Sequence, residues 1–329
     1  MSVHKKLVEL ELKNLDLLTQ LNKSEIKINS LKKIISQIKK KVTFYIPTYN
    51  SDKTLEPCLN SVLNQSITPS EIIIVDANRH IEFSNNLIKK IKKNSEISVR
   101  IIHQDPTNPN IKKGLAAARN IAILNSKFDF IASCDSDVAL DKHWLEYNLI
   151  HFFDNNIAGV CGNMHERKTN IFDKWRSIHM KQNWGNKQII NPPFLFGSNN
   201  IFRKKVLEQI KYNENFLTNY EDVDISNKIK KKGLKLIYEP KSKATHLRQD
   251  NLKSLLNSYY NWNFFSYPIP NNIFNLILKL CFFNVSKSIK LIINDILNLR
   301  TNLIFISLEI YFYNSNNDLI YFKNSIKGK

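Results

Sequence analysis

Glycine and cysteine are scarce in this sequence. Only seven of the 329 residues are glycine, and no glycine-rich phosphate loop follows the first apolar segment, which argues against a phosphate-loop nucleotide-binding site. The four cysteines are widely separated, so no pair has the spacing of a zinc site and no disulfide framework is indicated. We expect reduced, buried thiols of a cytoplasmic protein at Cys58, Cys134, Cys161 and Cys281.

Long apolar runs are absent as well. The N-terminus is polar and lysine-rich, so no signal peptide is expected. No part of the C-terminal tail reaches the roughly 20 predominantly apolar residues that span a bilayer. Hydrophobic residues make up 43% of the chain and charged residues 23%, which is typical of a folded protein with one sizeable core.

Acidic residues are outnumbered by basic ones. The chain has 48 Lys and Arg against 29 Asp and Glu, for a net charge of +19 and a pI near 9.6. A field of this sign attracts partners that carry phosphate. Because the lysines are scattered and no aromatic-basic strip accompanies them, nucleic acid is not expected as the main ligand.

Residues 1–40 contain neither glycine nor proline and show a heptad pattern. Aliphatic residues occupy eight of its ten a and d positions, and the polar Asn14 falls at an a position, where it can fix the register of a coiled coil. The pattern favours two structures equally. One is a coiled coil that forms a homo-oligomer, and the other is an amphipathic helix laid on the body of the protein.

Apolar strands and helices alternate after residue 41. The pattern predicts strands at 41–47, 71–76, 98–103 and 128–134, and helices at 55–63, 84–93 and 114–124. Further strands are predicted at 159–162, 194–202 and 234–238, and a helix at 222–232. The fold class is therefore α/β, with a mostly parallel, Rossmann-like sheet flanked by helices over residues 41–267, and the binding site is expected at the carboxyl ends of the strands.

The tail, residues 268–329, is predicted to be a helical extension with helices at 273–283 and 302–313. Polar residues interrupt its apolar segments. It is therefore interpreted either as a basic amphipathic surface that contacts the membrane peripherally, or as a helical subdomain packed against the sheet.

Asp135-Ser136-Asp137 follows the fourth predicted strand. Two carboxylates this close repel one another, and a divalent cation held by one or both relieves the repulsion while water and substrate phosphates complete its shell. The alternative is a turn in which these aspartates cap the next helix.

Five segments occur in a fixed order: Pro47-Thr-Tyr-Asn50, Ile-Ile-Val-Asp76, Gly114-Leu-Ala-Ala-Ala-Arg-Asn120, Asp135-Ser-Asp137 and Glu221-Asp222. Over residues 41–250 the chain thereby resembles the family 2 glycosyltransferases, which have the GT-A fold. The resemblance implies a metal-dependent, inverting, hexosyltransferase-like enzyme that transfers a sugar from a nucleotide-diphosphate sugar to an acceptor hydroxyl, with Mn²⁺ or Mg²⁺ as cofactor. A glycan, a lipid-linked glycan or a protein is the implied acceptor, in surface polysaccharide biosynthesis.

The resemblance also implies roles for single residues. Thr48 and Asn50 lie beside the nucleotide, Asp76 contacts the base, and Arg119 lies near the base and diphosphate. Asp135 is a ribose or metal-side carboxylate, Asp137 is the direct metal ligand, and His246 contacts the metal or diphosphate. Asp222, with Glu221 beside it, is the catalytic base. Phe196-Gly-Ser-Asn-Asn200 resembles the family's loop beneath the donor sugar.

Each of these residues also has a purely structural interpretation. Thr218-x-x-Glu221 is a capping box, in which Glu221 and Asp222 complement a helix N-terminus. Residues 114–120 also fit an alanine-rich helix packed closely on the sheet, residues 196–200 a plain turn, and His246 an ordinary surface or core residue.

The chain departs from the family's pattern in two places. Ala77-Asn78-Arg79-His80 stands where many relatives have further acidic and hydroxyl residues, and the Gln-x-x-Arg-Trp signature of processive synthases is absent. A single transfer per encounter is therefore expected. The alternatives are a catalytically inactive nucleotide-sugar-binding or coiled-coil scaffold, and a nucleotidyltransferase, which usually needs the glycine-rich phosphate loop that this chain lacks.

Overall fold

The computed structural model describes residues 14, 16–22, 24–25, 42–92 and 97–327. The predicted coiled coil at 1–40 lies almost wholly outside these residues. Its described residues are helical. Leu17, at a d position, is 50% exposed, and Leu21, at an a position, is 61% exposed. This part of the helix therefore does not pack on the body of the protein, and the coiled coil stays a prediction.

The first half of the fold alternates strands and helices as predicted. The strands are β1 (Val42–Thr48), β2 (Glu71–Asp76), β3 (Ser98–His103) and β4 (Phe130–Cys134), and the helices are α1 (Leu55–Leu63), α2 (Glu82–Lys92) and α3 (Leu115–Asn125). Apolar β-branched residues dominate these strands, and all residues of β1, β2 and β4 are buried because helices cover both faces of the sheet.

The second half is more irregular. Its strands are β5 (Val138–Leu140), β6 (Ile157–Glu166), β7 (Ile189–Ile190), β8 (Asn199–Arg203) and β9 (Lys235–His246). Its helices are α4 (Trp144–Leu149), α5 (Ile171–His179), α6 (Lys204–Ile210) and α7 (Glu221–Lys231), and a 3-10 turn spans Ile150–Phe153.

All nine strands form one curled sheet in the order β3-β2-β1-β4-β8-β6-β9-β5, with β7 paired to β9. The four strands β3, β2, β1 and β4 are parallel, whereas β8 runs antiparallel to both β4 and β6. The predicted α/β fold is confirmed, but its parallel character is limited to the first four strands and the β6–β9 pair.

Three predicted strands have other bounds in the structure. The strand predicted at 159–162 is β6, which extends from Ile157 to Glu166. β8 begins at Asn199, because residues 194–198 form a loop in which Phe194 and Phe196 stack around Trp184. β9 continues to His246 through the predicted loop at 239–244. A shift in the β6–β9 register after Gly162 lets the strand continue past Pro240.

The C-terminal region is helical, as predicted. It contains α8 (Leu252–Asn263), α9 (Ile273–Leu278), α10 (Asn284–Leu297) and α11 (Ile304–Lys327), with 3-10 turns at Phe264–Ser266 and Thr301–Leu303 and a π-helical segment at Lys279–Phe283. Among the described residues, no helix combines the length and the apolar character that crossing a bilayer requires.

Three apolar clusters form the core. One lies on each face of the sheet, and the third joins α5 and α8 to α11 through residues such as Trp175, Tyr259 and Ile306. Cys58, Cys134 and Cys161 are buried free thiols as expected, but Cys281 is exposed, because it lies on the outer side of the π-helical segment.

Candidate active site

Two adjoining cavities open at the carboxyl ends of the parallel strands. The first, of about 400 Å³, is called the apolar cavity and is lined by residues of the β1, β2 and β3 ends and of the α3 N-terminus, among them Thr48, Val75, Gln104 and Leu115. The second, of about 250 Å³, is called the acid cavity because Asp135, Glu221 and Asp222 line it. Leu115 and Thr218 line both, so the two cavities are neighbours.

A third, wider cavity of about 880 Å³, the basic cavity, lies beside the apolar one and shares Tyr49 with it. Its lining combines Asn50 and Asp137 with the cationic side chains of Lys53, Arg167 and Arg248. The apolar cavity therefore adjoins both the acid cavity and the basic cavity along one edge of the sheet.

The structure places the three predicted nucleotide residues of β1 and β2 differently. Thr48 lines the apolar cavity and Asn50 lines the basic cavity. Asp76 is fully buried and lines none of the cavities described above. Its carboxylate accepts hydrogen bonds from the backbone N–H of Asn78 (2.8 Å) and from the hydroxyl of Ser84 (2.5 Å), so it fixes the turn after β2.

The acidic pair lies at the first turn of α7. Tyr220, the residue before the helix, has a left-handed backbone with φ of 78°, and no side chain caps the helix N-terminus. The predicted Thr218-x-x-Glu221 capping box is therefore wrong. Thr218 instead belongs to the loop that lines both cavities.

Asp222 faces the acid cavity. Its carboxylate accepts hydrogen bonds from the backbone N–H of Gly197 (3.3 Å) and of Val223 (2.8 Å), which fix its direction. Glu221 beside it is buried, and while its Oε1 accepts from Arg119 (3.4 Å), its Oε2 has no hydrogen-bond partner.

Arg119 lies beneath the acid cavity and connects five elements. Its Nη1 donates to the hydroxyls of Tyr45 (3.2 Å) and Ser133 (2.7 Å) and to the carbonyl of Gly197 (3.0 Å). Its Nη2 donates to Asp135 (3.3 Å) and Glu221 (3.4 Å). Because Arg119 is only 1% exposed, these bonds hold the cavity floor together.

Burial shifts the ionisation of the three carboxyl groups around this arginine. It raises the pKa of Asp135, although Arg119 opposes the shift. It raises the pKa of Glu221 to about 8, and the adjacent Asp222 carboxylate adds to the effect. It also raises the pKa of Asp222, against the attraction of Arg119, which makes this carboxylate a better proton acceptor than an exposed aspartate.

Asp137 and His246 meet because of strand register. In the β5–β9 pair Val138 lies opposite His246, and in the β6–β9 pair Glu166 lies opposite His246. His246 Nε2 is 3.1 Å from Asp137, and its Nδ1 is 3.0 Å from both oxygens of Glu166. Arg176 in turn donates to Glu166 (2.8 Å), so the imidazole is fixed by a buried network.

In this network the His246 imidazolium and the carboxylates beside it stabilise one another's charged forms. Burial alone would lower the pKa of His246, but Asp137 and Glu166 raise it to about 10. Burial would likewise raise the pKa of Asp137, yet His246 lowers it to about 2.

Asp137 and His246 fit a divalent cation that relies on its substrate for further ligands. An imidazole whose second nitrogen is bound to a buried carboxylate is the usual arrangement of metal-binding histidines. Within the described part of the chain, no three His, Cys, Asp or Glu side chains are placed so that they could hold one metal ion together. Asp135, the predicted second carboxylate, hydrogen bonds to Arg119 instead.

Two glycines allow the loops of the site to approach one another. A Cβ atom on Gly114 would lie 2.6 Å from the carbonyl oxygen of Leu217, and Gly114 has φ of 93°, which favours glycine. A Cβ atom on Gly197 would lie 2.6 Å from Arg119 Nη2. Gly197 therefore marks a close backbone approach, as the predicted loop at 196–200 requires.

Sequence reasoning missed several residues of the site. Glu166 and Arg176 escaped notice because they are acidic and basic residues without a motif, and only the β6–β9 register brings them to His246. Gln104, Gln182 and Trp262 line the cavities from three further elements or loops. No local pattern in the sequence distinguishes these from other surface residues.

Comparison with known proteins places this geometry in context. The family described as "Glycosyl transferase family 2" matches residues 43–211, just over half of the chain. Poly-beta-1,6-N-acetyl-D-glucosamine synthase of Staphylococcus aureus is 25% identical over 230 residues, which cover 67% of this chain and 53% of that protein. An uncharacterized glycosyltransferase of Haemophilus influenzae is 33% identical over 125 residues, 37% of this chain and 46% of that protein. The chain spans about half the length of these curated relatives.

Solved structures show the same fold at low sequence identity. A mannosyltransferase from Pyrobaculum calidifontis, in complex with GDP-Man and Mn²⁺, aligns with a TM-score of 0.51 and 17% identity over 67% of this chain and 60% of that one. The S. aureus protein TarS 1-349 aligns with a TM-score of 0.51 and 14% identity over 88% of this chain and 92% of that one. The likeness to TarS 1-349 extends into the helical C-terminal region.

Proposed function

The chain belongs to glycosyl transferase family 2, and from that premise we propose that it transfers a sugar from a nucleotide-diphosphate sugar to the hydroxyl of a glycan acceptor. The single observation that carries the proposal is the joining of the apolar cavity to the acid cavity at the strand ends, with Asp222 at the acid cavity. An apolar slot suits a nucleobase, and a carboxylate of raised pKa suits a general base.

The nucleobase is proposed to bind in the apolar cavity, with Gln104 rather than Asp76 as the side chain that contacts it. Nε2 of Gln104 donates to the carbonyls of Lys112 (2.7 Å) and Gly114 (3.2 Å), so the orientation of its amide is fixed and Oε1 is left buried without a partner. This acceptor matches a base with a ring N–H on its pairing edge, which is N3–H in uracil and N1–H in guanine, whereas the corresponding ring nitrogen of adenine and cytosine carries no hydrogen. The carboxylate of Asp76 already accepts hydrogen bonds from Ser84 and Asn78, so Asp76 is proposed to support the loop after β2.

The diphosphate is proposed to lie in the basic cavity, near Lys53 and Arg248, with a divalent cation held by Asp137 and His246. Such a cation, Mn²⁺ or Mg²⁺, neutralises charge on the leaving diphosphate when it is bound. His246 would hold the cation through Nε2 as a neutral imidazole. Glu166 would keep the imidazole oriented through Nδ1, and Asp135, two residues before Asp137, lines the acid cavity.

Asp222 is proposed to accept the proton of the acceptor hydroxyl. The acceptor oxygen forms a bond to the anomeric carbon, the bond from that carbon to the diphosphate oxygen breaks, and the nucleoside diphosphate leaves with the electron pair. Attack from the face opposite the diphosphate inverts the anomeric configuration, as the family resemblance implies. Glu221 keeps its proton at neutral pH and so adds no second negative charge beside the base.

An assay with different sugar donors, run on two aspartate variants, tests this function. Purified protein with Mn²⁺ or Mg²⁺ is expected to hydrolyse or transfer sugar from UDP- or GDP-sugars in preference to ADP- and CDP-sugars. Asp222→Asn should lower kcat on the order of 10²- to 10⁴-fold, because it removes the proton acceptor. Donor KM should change little, since Asp222 lies outside the apolar and basic cavities.

Asp224→Asn is the matched control. Asp224 lies in the same first turn of α7, but its partly buried carboxylate pairs with Lys228 (2.6 Å) and lines none of the three cavities. Its replacement should therefore leave kcat within about twofold. Equal losses in the two variants, or nucleotide binding that neither Mn²⁺ nor Mg²⁺ strengthens in calorimetry, would contradict the proposal.

A further inference from the structure

The C-terminal helices bury polar and charged side chains beside the third apolar cluster. Between the π-helical segment, α10 and α11, Lys279 pairs with the fully buried Asp318 (2.9 Å) and Asn284 also donates to Asp318 (2.9 Å). Asp295, which is also fully buried, binds His179 (2.9 Å) and Arg300 (3.0 Å). Both buried carboxylates of this region are thus satisfied by hydrogen bonds and ion pairs.

The outward faces of the same helices are apolar. Ile289 and Ile293 lie four residues apart on α10, and Phe282 lies in the π-helical segment directly before it. On α11, Leu308, Phe312 and Leu319 follow one another at spacings of four and seven residues. These spacings place the residues of α10, and those of α11, along one side of their helix. All six side chains are 46% to 64% exposed, so each of the two helices carries an uncovered apolar stripe.

Residues 268–329 contain seven Lys or Arg against three Asp or Glu. Two of the three acids, Asp295 and Asp318, are buried in ion pairs with Arg300 and Lys279, so these four charges offset one another. Among the described residues of α10 and α11, the exposed charged side chains are Lys290, Lys323 and Glu309, two bases against one acid.

We propose that these two stripes, with their flanking lysines, dock the protein on an anionic lipid surface. Apolar side chains flanked by lysine on a helix surface favour the boundary between lipid headgroups and acyl chains. A second copy of the chain fits less well, because it would bring a net charge of +19 against an equal charge. An anionic bilayer instead supplies the opposite charge.

Vesicle co-sedimentation of the full chain tests this proposal. The protein should bind vesicles of phosphatidylcholine and phosphatidylglycerol, and should bind vesicles of phosphatidylcholine alone more weakly. Phe282→Ser, Ile293→Ser and Phe312→Ser should each lower the vesicle partition coefficient by roughly tenfold. Lys290→Gln and Lys323→Gln should each lower it by about fivefold at low salt.

Leu124→Ser and Ile190→Ser are the matched controls, since both residues are exposed apolar side chains outside the C-terminal region. They should leave the partition coefficient unchanged. Thermal melting of every variant and its donor hydrolysis separate loss of docking from loss of fold, and the five single variants allow the test to proceed if one of them unfolds. Unchanged vesicle binding in the stripe variants would overturn the proposal. So would a dimer in light scattering that the same substitutions dissociate.

Discussion

Neighbouring carboxyl groups have different surroundings in this site. Glu221 and Asp222 are consecutive, yet Glu221 faces Arg119 in the buried floor, whereas Asp222 faces the acid cavity and receives two backbone N–H groups. Burial raises the pKa of both, that of Glu221 to about 8. A sequence motif of two adjacent acids does not reveal these shifts, because they depend on burial.

The proton on Glu221 predicts how stability depends on pH. The pKa of Glu221 is about 8 in the folded protein, whereas an unfolded glutamate has a pKa of about 4.3. Between these values the folded state binds more protons than the unfolded one, so this group lowers the free energy of unfolding as pH rises from about 5 to 8. Glu221→Gln should remove that slope, which for one proton is at most about 1.4 kcal/mol per pH unit.

Urea denaturation at several pH values in this window measures the effect. Glu208→Gln, which changes a half-exposed glutamate on α6, serves as the control and should keep the slope of the wild type. Parallel curves for the wild type and Glu221→Gln would show that Glu221 is already ionised in the folded protein.

At the scale of elements, the loop before α7 and the start of α3 depend on one close contact. The N–H of Leu115 donates to the carbonyl of Leu217 (2.6 Å), and Gly114 leaves no room for a Cβ atom beside it. This contact forms part of the wall between the apolar and acid cavities, since Leu115 lines both and Leu217 lines the apolar one.

Gly114→Ala should therefore weaken both stability and nucleotide binding. Gly185 has a similar φ of 95°, but a Cβ atom there would meet nothing within 4 Å. Gly185→Ala should cost only the backbone strain, about 1 kcal/mol, and Gly114→Ala should cost at least about 1 kcal/mol more because the loop must move. Urea denaturation and UDP calorimetry of the two variants compare them directly, and equal costs would refute the close contact.

Much of the framework could be predicted from sequence, because short apolar runs with polar ends specify buried strands. The bounds of β2 and β3 agree with the prediction to the residue. The network around His246 could not be predicted, since Glu166 lies 80 residues away and joins it only through the β6–β9 register. The extent of β9 was missed because Pro240 usually ends a strand.

At the scale of the whole molecule, the net charge of +19 should govern encounter with the donor. A long-range field attracts a nucleotide-diphosphate sugar before any contact forms, and salt shortens its reach to a Debye length of about 8 Å at 0.15 M ionic strength. With a UDP- or GDP-sugar, kcat/KM should fall as KCl rises, while kcat should stay constant. Steady-state kinetics at a series of salt concentrations checks this, and a kcat that falls in step with kcat/KM would point to damage of the site itself.

Helix α8 contributes residues both to the acid cavity and to the third apolar cluster. Trp262 and Asn263 at its end line the acid cavity, and Leu255 and Tyr259 pack with α5 and α11 in the third apolar cluster. Removal of residues 268–329 would delete none of the residues that line the cavities described above. It would, however, remove the helices that pack behind one wall of the acid cavity. The helices after residue 268 thus support one wall of the acid cavity from behind, through the apolar cluster that they share with α8.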